Sequence, residues 1–326
     1  MAQSLASSSP PVSPSSAGSV VRALGPASLS NLGPGFDALG ACLGQMGDIV
    51  DAWRVDEPGV RLVGIEGDGG VLSTEIQSNT AGRAAQAVYA MSGATDGLHL
   101  RLHKRMAMGT GLGSSAASAV AGAWAANLAL GEPFAKADLV DAVLTGEELA
   151  SGARHGDNVL PALFGGVVLV SASDPTQYRR LDVPRACPVA IVLPEVQVLT
   201  KEAREILPQA VPLHRAIHNA SELAFMIDAL RAGDWPRVGQ HMMRDQMIEP
   251  VRARLVPCYE AVKAAALAHG AFGCALSGSG PALFALAATP DEADHISGAM
   301  QAASRASGIE ARAYVTDLNF DGACAL

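Results

Sequence analysis

The chain has 326 residues, 49% hydrophobic and 17% charged, so it has ample material for a core and is no disordered protein. Its net charge is −9, and no run of Lys and Arg reaches four, which argues against a nucleic-acid binder. Five cysteines without a C-x-x-C pair read as reduced thiols of a cytoplasmic protein, with neither a disulfide framework nor a zinc site.

Residues 1–19 hold eight Ser and three Pro, with no charge and no apolar run. That composition suits a disordered tail and matches neither a signal peptide nor an Arg-rich transit peptide. Order is predicted from Val20, where 20–24 reads as a short strand. The stretch 25–37 (GPASLSNLGPGFD) is punctuated by Gly and Pro and reads as a loop whose Asn, Asp and Ser are free to face a ligand. Residues 49–55 and 60–65 are predicted strands, and 80–91 a helix with Ala84, Ala87, Val88 and Met91 on one face. Residues 98–103 alternate with period two, a strand with Leu98, Leu100 and Leu102 on its apolar side.

That strand runs into Ala107-Met108-Gly109-Thr110-Gly111-Leu112-Gly113-Ser114-Ser115-Ala116-Ala117, and an Ala-rich helix over 116–130 follows. Strand, glycine-rich loop and helix in this order present free backbone N–H groups at a helix N-terminus, which favours a phosphate. A Walker loop is excluded, because it requires a lysine that is missing here. A dinucleotide fingerprint fits poorly, since the position for its acidic residue falls at a helix end, Leu130-Gly131-Glu132-Pro133. A purely structural turn remains the plain alternative. The uncharged stretches 106–131 and 270–290 are too rich in small and polar residues to be membrane spans.

A helix over 138–150 comes next. At 100° per residue, Leu139, Val140, Val143 and Ala150 form its apolar stripe; Glu147 falls inside the stripe and Glu148 at its edge. An inward carboxylate needs a cation or a proton, so Glu147 is a candidate metal ligand. Asp157-Asn158 is placed at a loop-to-strand junction before a buried strand at 165–171, where simple turn chemistry is the competing reading. Residues 178–188 are a plausible domain boundary. Beyond it, strands are predicted at 189–193, 272–276, 282–287 and 309–316, and helices near 213–232, 234–247, 255–269 and 291–307. His214 and His218 share a helix face but lack a third ligand, so they read as ordinary surface residues, and Trp124 reads as core.

Three segments, PASLSNLGPGFD at 26–37, GTGLGSSA at 109–116 and LSGSGP at 276–281, resemble the three motifs of the small-molecule kinases grouped with galactokinase, homoserine kinase, mevalonate kinase and phosphomevalonate kinase. Within that superfamily the chain is most similar to the homoserine kinase family. HGDNVLPALFGG at 155–166, TKEAREILP at 200–208 and EPVR at 249–252 carry that closer likeness. The segments are spread from residue 26 to 281, so the resemblance covers essentially all of the chain after its tail. Ala107 and Ala282 stand where the family usually has proline and threonine, and Cys324 where it usually has arginine.

The resemblance implies an α+β fold with two domains: an N-terminal ATP-binding domain over 20–175 and a C-terminal ferredoxin-like domain over 176–326. It implies Mg²⁺-dependent transfer of the ATP γ-phosphoryl group to the hydroxyl of L-homoserine, on the route to threonine. ATP would bind along 107–117. Mg²⁺ would be held by Glu147 and Ser115, with Ser114 as the near alternative. Asn158 would hold the substrate hydroxyl, and Asp157 stays open as a general base. Homoserine is a zwitterion, so Asn31 and Asp37 suit its ammonium, and Arg204 and Arg252 its carboxylate, which a guanidinium fork matches. For each arginine a surface ion pair with Glu202, Glu205 or Glu249 is the competing reading. No nucleic-acid or membrane partner is expected, and a homodimer is left open. A kinase of another small alcohol, or a silent metabolite-binding regulator on the same fold, is the alternative.

Overall fold

The computed structural model describes residues 19–326, so the tail expectation for 1–19 lies almost wholly outside the described residues. In the first half, β1 (Val21–Asn31), β2 (Gly35–Val55) and β3 (Gly59–Glu66) precede α1 (Thr80–Ser92) and β4 (Gly97–His103). Then come α2 (Ser114–Ala129), α3 (Val140–Ser151), α4 (Gly156–Phe164), β5 (Val167–Val170) and β6 (Tyr178–Arg180). In the second half, β7 (Pro188–Pro194) is followed by α5 (Thr200–Glu205), α6 (Leu213–Ala232), α7 (Trp235–Met242), α8 (Glu249–Arg252) and α9 (Tyr259–Ala268). Last are β8 (Gly273–Leu276), β9 (Leu283–Leu286), α10 (Pro290–Ala306), β10 (Ala311–Asp317) and the short β11 (Cys324–Ala325).

The first sheet runs β11-β1-β2-β4-β3, and β2 is long enough to pair also with β5, which carries β6. Only the β3–β4 pair is parallel among its pairings. The second sheet is antiparallel, β10-β7-β9-β8. With helices between β7 and β8 and between β9 and β10, it has the ferredoxin-like arrangement expected. A division at 175 and 176 would cut β6 and β11 away from the first sheet, to which both belong.

Two expectations are corrected. Residues 25–31 are not loop but the second half of β1, paired with β2 through bulges at Pro26/Ser28 and Ser30/Asn31. Their small residues serve packing: a Cβ on Gly25 would lie 2.0 Å from the Ala117 carbonyl oxygen, where α2 crosses the strand. The loop proper is Leu32-Gly33-Pro34. Likewise, Asp157 and Asn158 sit in the first turn of helix α4, not before a strand; the apolar run behind them is buried as a helix. A short apolar run cannot by period alone be told from a buried strand.

The Ala-rich α2 is buried on nearly all sides, as a central helix should be. It packs on α1 and on β1, within a core that also holds Leu98, Leu100, Leu102, Val143 and Leu144. Trp124 is half-buried at the rim of that core, with the Lys136 ammonium 5.5 Å above its ring. A second core is common to both halves: Leu29, Leu39, Met106, Leu112 and Ala117 meet Val189, Ile191, Trp235, Val238 and Phe284. The glycine loop therefore lies over a seam and not on a free edge. All five cysteines are free thiols. Among the described residues, no helix is long and apolar enough to cross a membrane.

Candidate active site

A cavity of about 300 Å³ opens where the two sheets meet, and the glycine loop forms one wall. Met108, Gly109, Thr110, Gly111, Gly113, Ser114 and Ser115 line it. Ala107, Leu112, Ala116 and Ala117, also expected at the nucleotide, do not. Ala107 faces solvent, and the other three anchor the loop in the two cores. The loop is pressed close to its neighbours. A Cβ on Gly113 would fall 2.2 Å from Ser28 Oγ and 3.0 Å from Asn158 Oδ1, so only glycine fits there. On its far side, Ala282 N–H donates to the Thr110 carbonyl (3.1 Å) and Ser277 Oγ to that of Gly111 (2.6 Å). These bonds tie the loop to the second half of the chain and leave the start of α2 facing the cavity, where helix N–H groups lack intrahelical partners.

Beneath the loop lies an ion pair that the sequence reading missed. Lys104, 3% exposed, directs its ammonium onto the carboxylate of Asp48, which is 0% exposed. The ammonium also reaches the Ser114 carbonyl (2.9 Å), Ser114 Oγ (2.7 Å) and Ser118 Oγ (3.0 Å). Asp48 in turn accepts from the N–H groups of Arg105 (2.9 Å) and Met106 (3.0 Å), where the loop begins. Burial lowers the Lys104 pKa, against the pull of Asp48.

Glu147 is buried, as the α3 stripe predicts, while Glu148 is half-exposed. Ser115 Oγ donates to Glu147 Oε1 at 3.1 Å. Ser114 Oγ instead accepts from Lys104 (2.7 Å). Burial pushes the Glu147 carboxyl up to about 8. A carboxylate and a hydroxyl, both hard oxygen donors beside the cavity-facing end of α2, fit Mg²⁺, which takes few ligands from protein.

Asn158 is gripped from both sides. Ser28 Oγ donates to its Oδ1 (2.9 Å), and its Nδ2 donates to Ser30 Oγ (3.1 Å). The two serines alternate along β1 and so share a face. The neighbouring Asp157 is buried; desolvation first, then the charge of Asp37, raises its pKa to about 7.

The end of β1 supplies Asn31, and the start of β2 supplies Asp37, on either side of the loop 32–34. Asn31, Leu32 and Asp37, at and beside this turn, all have positive φ (72°, 48° and 54°), strain of the kind found where the backbone must aim side chains. The Asn31 amide donates to the Gly278 carbonyl (3.1 Å), and its Oδ1 accepts from the Asp37 N–H (3.3 Å). Asp37 and Arg204 form a two-pronged pair at 3.0 and 3.1 Å across the seam. The hydrogen bonds to Asp37 raise the Arg204 pKa. Arg252 is buried and donates to the carbonyls of Ala203 (3.2 Å) and Gly278 (2.9 Å); burial, then Arg204, push it down to about 10. Neither arginine pairs with Glu202, Glu205 or Glu249. Glu249 instead receives Lys263 (2.7 Å) and the Tyr259 hydroxyl. His155 and Thr200 also line the cavity; neither was singled out, although both stand inside the quoted motifs. On α6, His218 meets the carbonyl of Arg244, which follows α7 (2.9 Å), and His214 is exposed.

Comparison with known proteins agrees with this architecture. The family models described as GHMP kinases N terminal domain and GHMP kinases C terminal match residues 79–166 and 226–306. Homoserine kinase of Xanthomonas campestris pv. campestris is 38% identical over 91% of this chain and 91% of its own length. That of Pyrococcus abyssi is 38% identical over 90% of this chain and 96% of its own. The crystal structure of homoserine kinase from Cytophaga hutchinsonii superposes with a TM-score of 0.90 at 38% identity, covering 94% of this chain and 97% of that one. With two family models matched and 38% identity to homoserine kinases over nine-tenths of its length, the chain belongs to the GHMP kinases and, among them, to the homoserine kinase family.

Proposed function

We propose that this chain transfers the γ-phosphoryl group of ATP to the side-chain hydroxyl of L-homoserine, giving O-phospho-L-homoserine for threonine synthesis. The observation that carries the substrate is the charge pattern of one cavity: a phosphate-facing helix end on one wall, and Asp37 with Arg204 and Arg252 on another. A zwitterion exchanges with the Asp37–Arg204 pair without leaving a charge unpaired. Its ammonium takes Asp37, supported by Asn31, and its carboxylate takes Arg204 and Arg252. Mevalonate has no ammonium and would strand Asp37; galactose offers neither charge.

The residues then divide the work of phosphoryl transfer, which is mostly positioning and charge neutralisation. The loop 108–115 cradles the phosphates. Glu147 and Ser115 would hold Mg²⁺, which neutralises phosphate charge when bound. Asn158, fixed by Ser28 and Ser30, orients the acceptor hydroxyl toward the γ-phosphorus. Asp157, with its pKa brought close to neutral, is the available acceptor for the hydroxyl proton. A coupled assay of ADP release across homoserine, mevalonate and galactose tests the reading. Turnover on homoserine alone is the expected result, and preference for either other alcohol refutes it.

A further inference from the structure

We infer that Phe36 is a positioning residue for the substrate carboxylate: its ring holds the Arg204 and Arg252 guanidiniums together as a two-armed clamp, and so sets the preference for acceptors that carry a carboxylate. The inference rests on the reading of the cavity as a homoserine site. Phe36 belongs to the first half of the chain, at the start of β2, whereas the arginines come from α5 and α8 of the second. Arg204 Cζ lies 5.5 Å, and Arg252 Cζ 4.9 Å, from the centre of its ring. One half-buried aromatic ring thus serves two cations.

Two guanidiniums in one cavity repel, and a clamp needs something to offset that repulsion before substrate arrives. Arg204 has the Asp37 carboxylate. Arg252 is held by neutral carbonyl oxygens, those of Ala203 and Gly278. The ring adds the negative face of its quadrupole to both, in a place where water is partly excluded. It leaves the hydrogen-bonding edges of the guanidiniums available, which a second carboxylate at position 36 would not. An aliphatic side chain would fill the same space without attracting either cation. The consequence is selective: grip on the carboxylate weakens, while the ATP wall and the Asn158 end keep their geometry.

The test uses the full chain and steady-state kinetics with ATP, homoserine and 3-amino-1-propanol, which has the amine and hydroxyl but no carboxylate. Phe36→Leu should raise KM for homoserine roughly 5- to 30-fold, with kcat within about twofold. The kcat/KM for 3-amino-1-propanol and the KM for ATP should stay within about twofold, and Phe36→Tyr should restore homoserine binding. Where Phe36→Leu lowers the yield of folded protein, phenylalanines bearing one, two or three ring fluorines at position 36 replace it, since they weaken the ring face at nearly constant shape. A stepwise rise in homoserine KM along that series supports the clamp. A flat series, or equal loss on both acceptors, overturns it while leaving the homoserine reading intact. A wild-type chain without homoserine-dependent ADP release overturns both.

Discussion

Replacing Lys104 by methionine isolates the buried pair under the glycine loop. The change keeps the length of the side chain and removes its charge. It leaves the Asp48 carboxylate, 0% exposed, with the Arg105 and Met106 N–H groups and the Ser118 hydroxyl as its donors. Removing one member of a buried pair costs about 3–5 kcal/mol, because the remaining charge stays desolvated. Lys104 also ties Ser114 and Ser118 to the base of the loop, so the nucleotide wall should loosen with it. A loop displaced by about 1 Å costs on the order of 10²-fold in rate, which sets the expected loss in kcat/KM for ATP at roughly 10- to 100-fold. Urea unfolding followed by tryptophan fluorescence measures the first quantity, and initial rates against ATP the second. Asp48→Asn combined with Lys104→Met removes both charges while keeping an oxygen for the two N–H groups. The double variant should lose less than the sum of the singles by about 0.5–3 kcal/mol. Additive losses, or a cost below about 1 kcal/mol for Lys104→Met, would refute the account of the pair as the loop's brace.

Further expectations concern the remaining walls. Glu147→Gln should abolish most of kcat, and Glu148→Gln should change it less than about threefold; equal effects in the rate assay contradict the assignment of the buried carboxylate. Without divalent cations, Glu147 ionises near 8 in the folded chain against an ordinary 4.5, so its contribution to stability is full below about 4.5 and is lost as pH rises to about 8. Urea midpoints should fall over that window, recover more with Mg²⁺ at pH 8 than at pH 5.5, and lose both trends in Glu147→Gln; an unchanged slope in that variant would count against the reading. Arg204→Ala and Arg252→Ala should each lower kcat/KM for homoserine by roughly 10- to 150-fold and leave 3-amino-1-propanol little affected, whereas parallel losses on both acceptors would mark structural arginines. Ser28→Ala with Ser30→Ala should cut kcat more than KM by freeing the Asn158 amide, and kinetics with KM alone affected would exclude that role.

Where local pattern decides geometry, the site was readable in advance. The glycine loop stands between an alternating strand and an Ala-rich helix, and the apolar positions 139, 140 and 143 already turn Glu147 inward. The strands and helices of the second half followed from well-spaced apolar runs, whereas their ferredoxin-like arrangement was implied by the family resemblance. What stayed hidden depends on distant partners. Lys104 and Asp48 are 56 positions apart, and Asp37 and Arg204 are 167 apart, so neither pair leaves a spacing to find. A lysine directly after the apolar strand β4 was a usable signal, since such a group must find an acid if buried. Residues 25–31 misled because glycine and serine signal turns by composition, whereas here they let α2 lie against the strand. The run behind Asn158 is too short for its period to separate helix from strand.

The core common to both halves has a consequence for how such a chain can be rearranged. Leu29, Leu112 and Ala117 on one side interlock with Ile191, Trp235 and Phe284 on the other, and β11 returns at the end of the chain to pair with β1. Chimeras joining the first half of this chain to the second half of a relative would place unmatched side-chain shapes in that shared layer. Overpacking or voids there cost about 1–5 kcal/mol per misfitted large residue, directly below the phosphate loop. Exchange by recombination should therefore succeed only when the crossover carries both faces of the seam together. Drift at Leu112 or Phe284 should be matched by drift across the boundary, so the two halves change as one inherited unit.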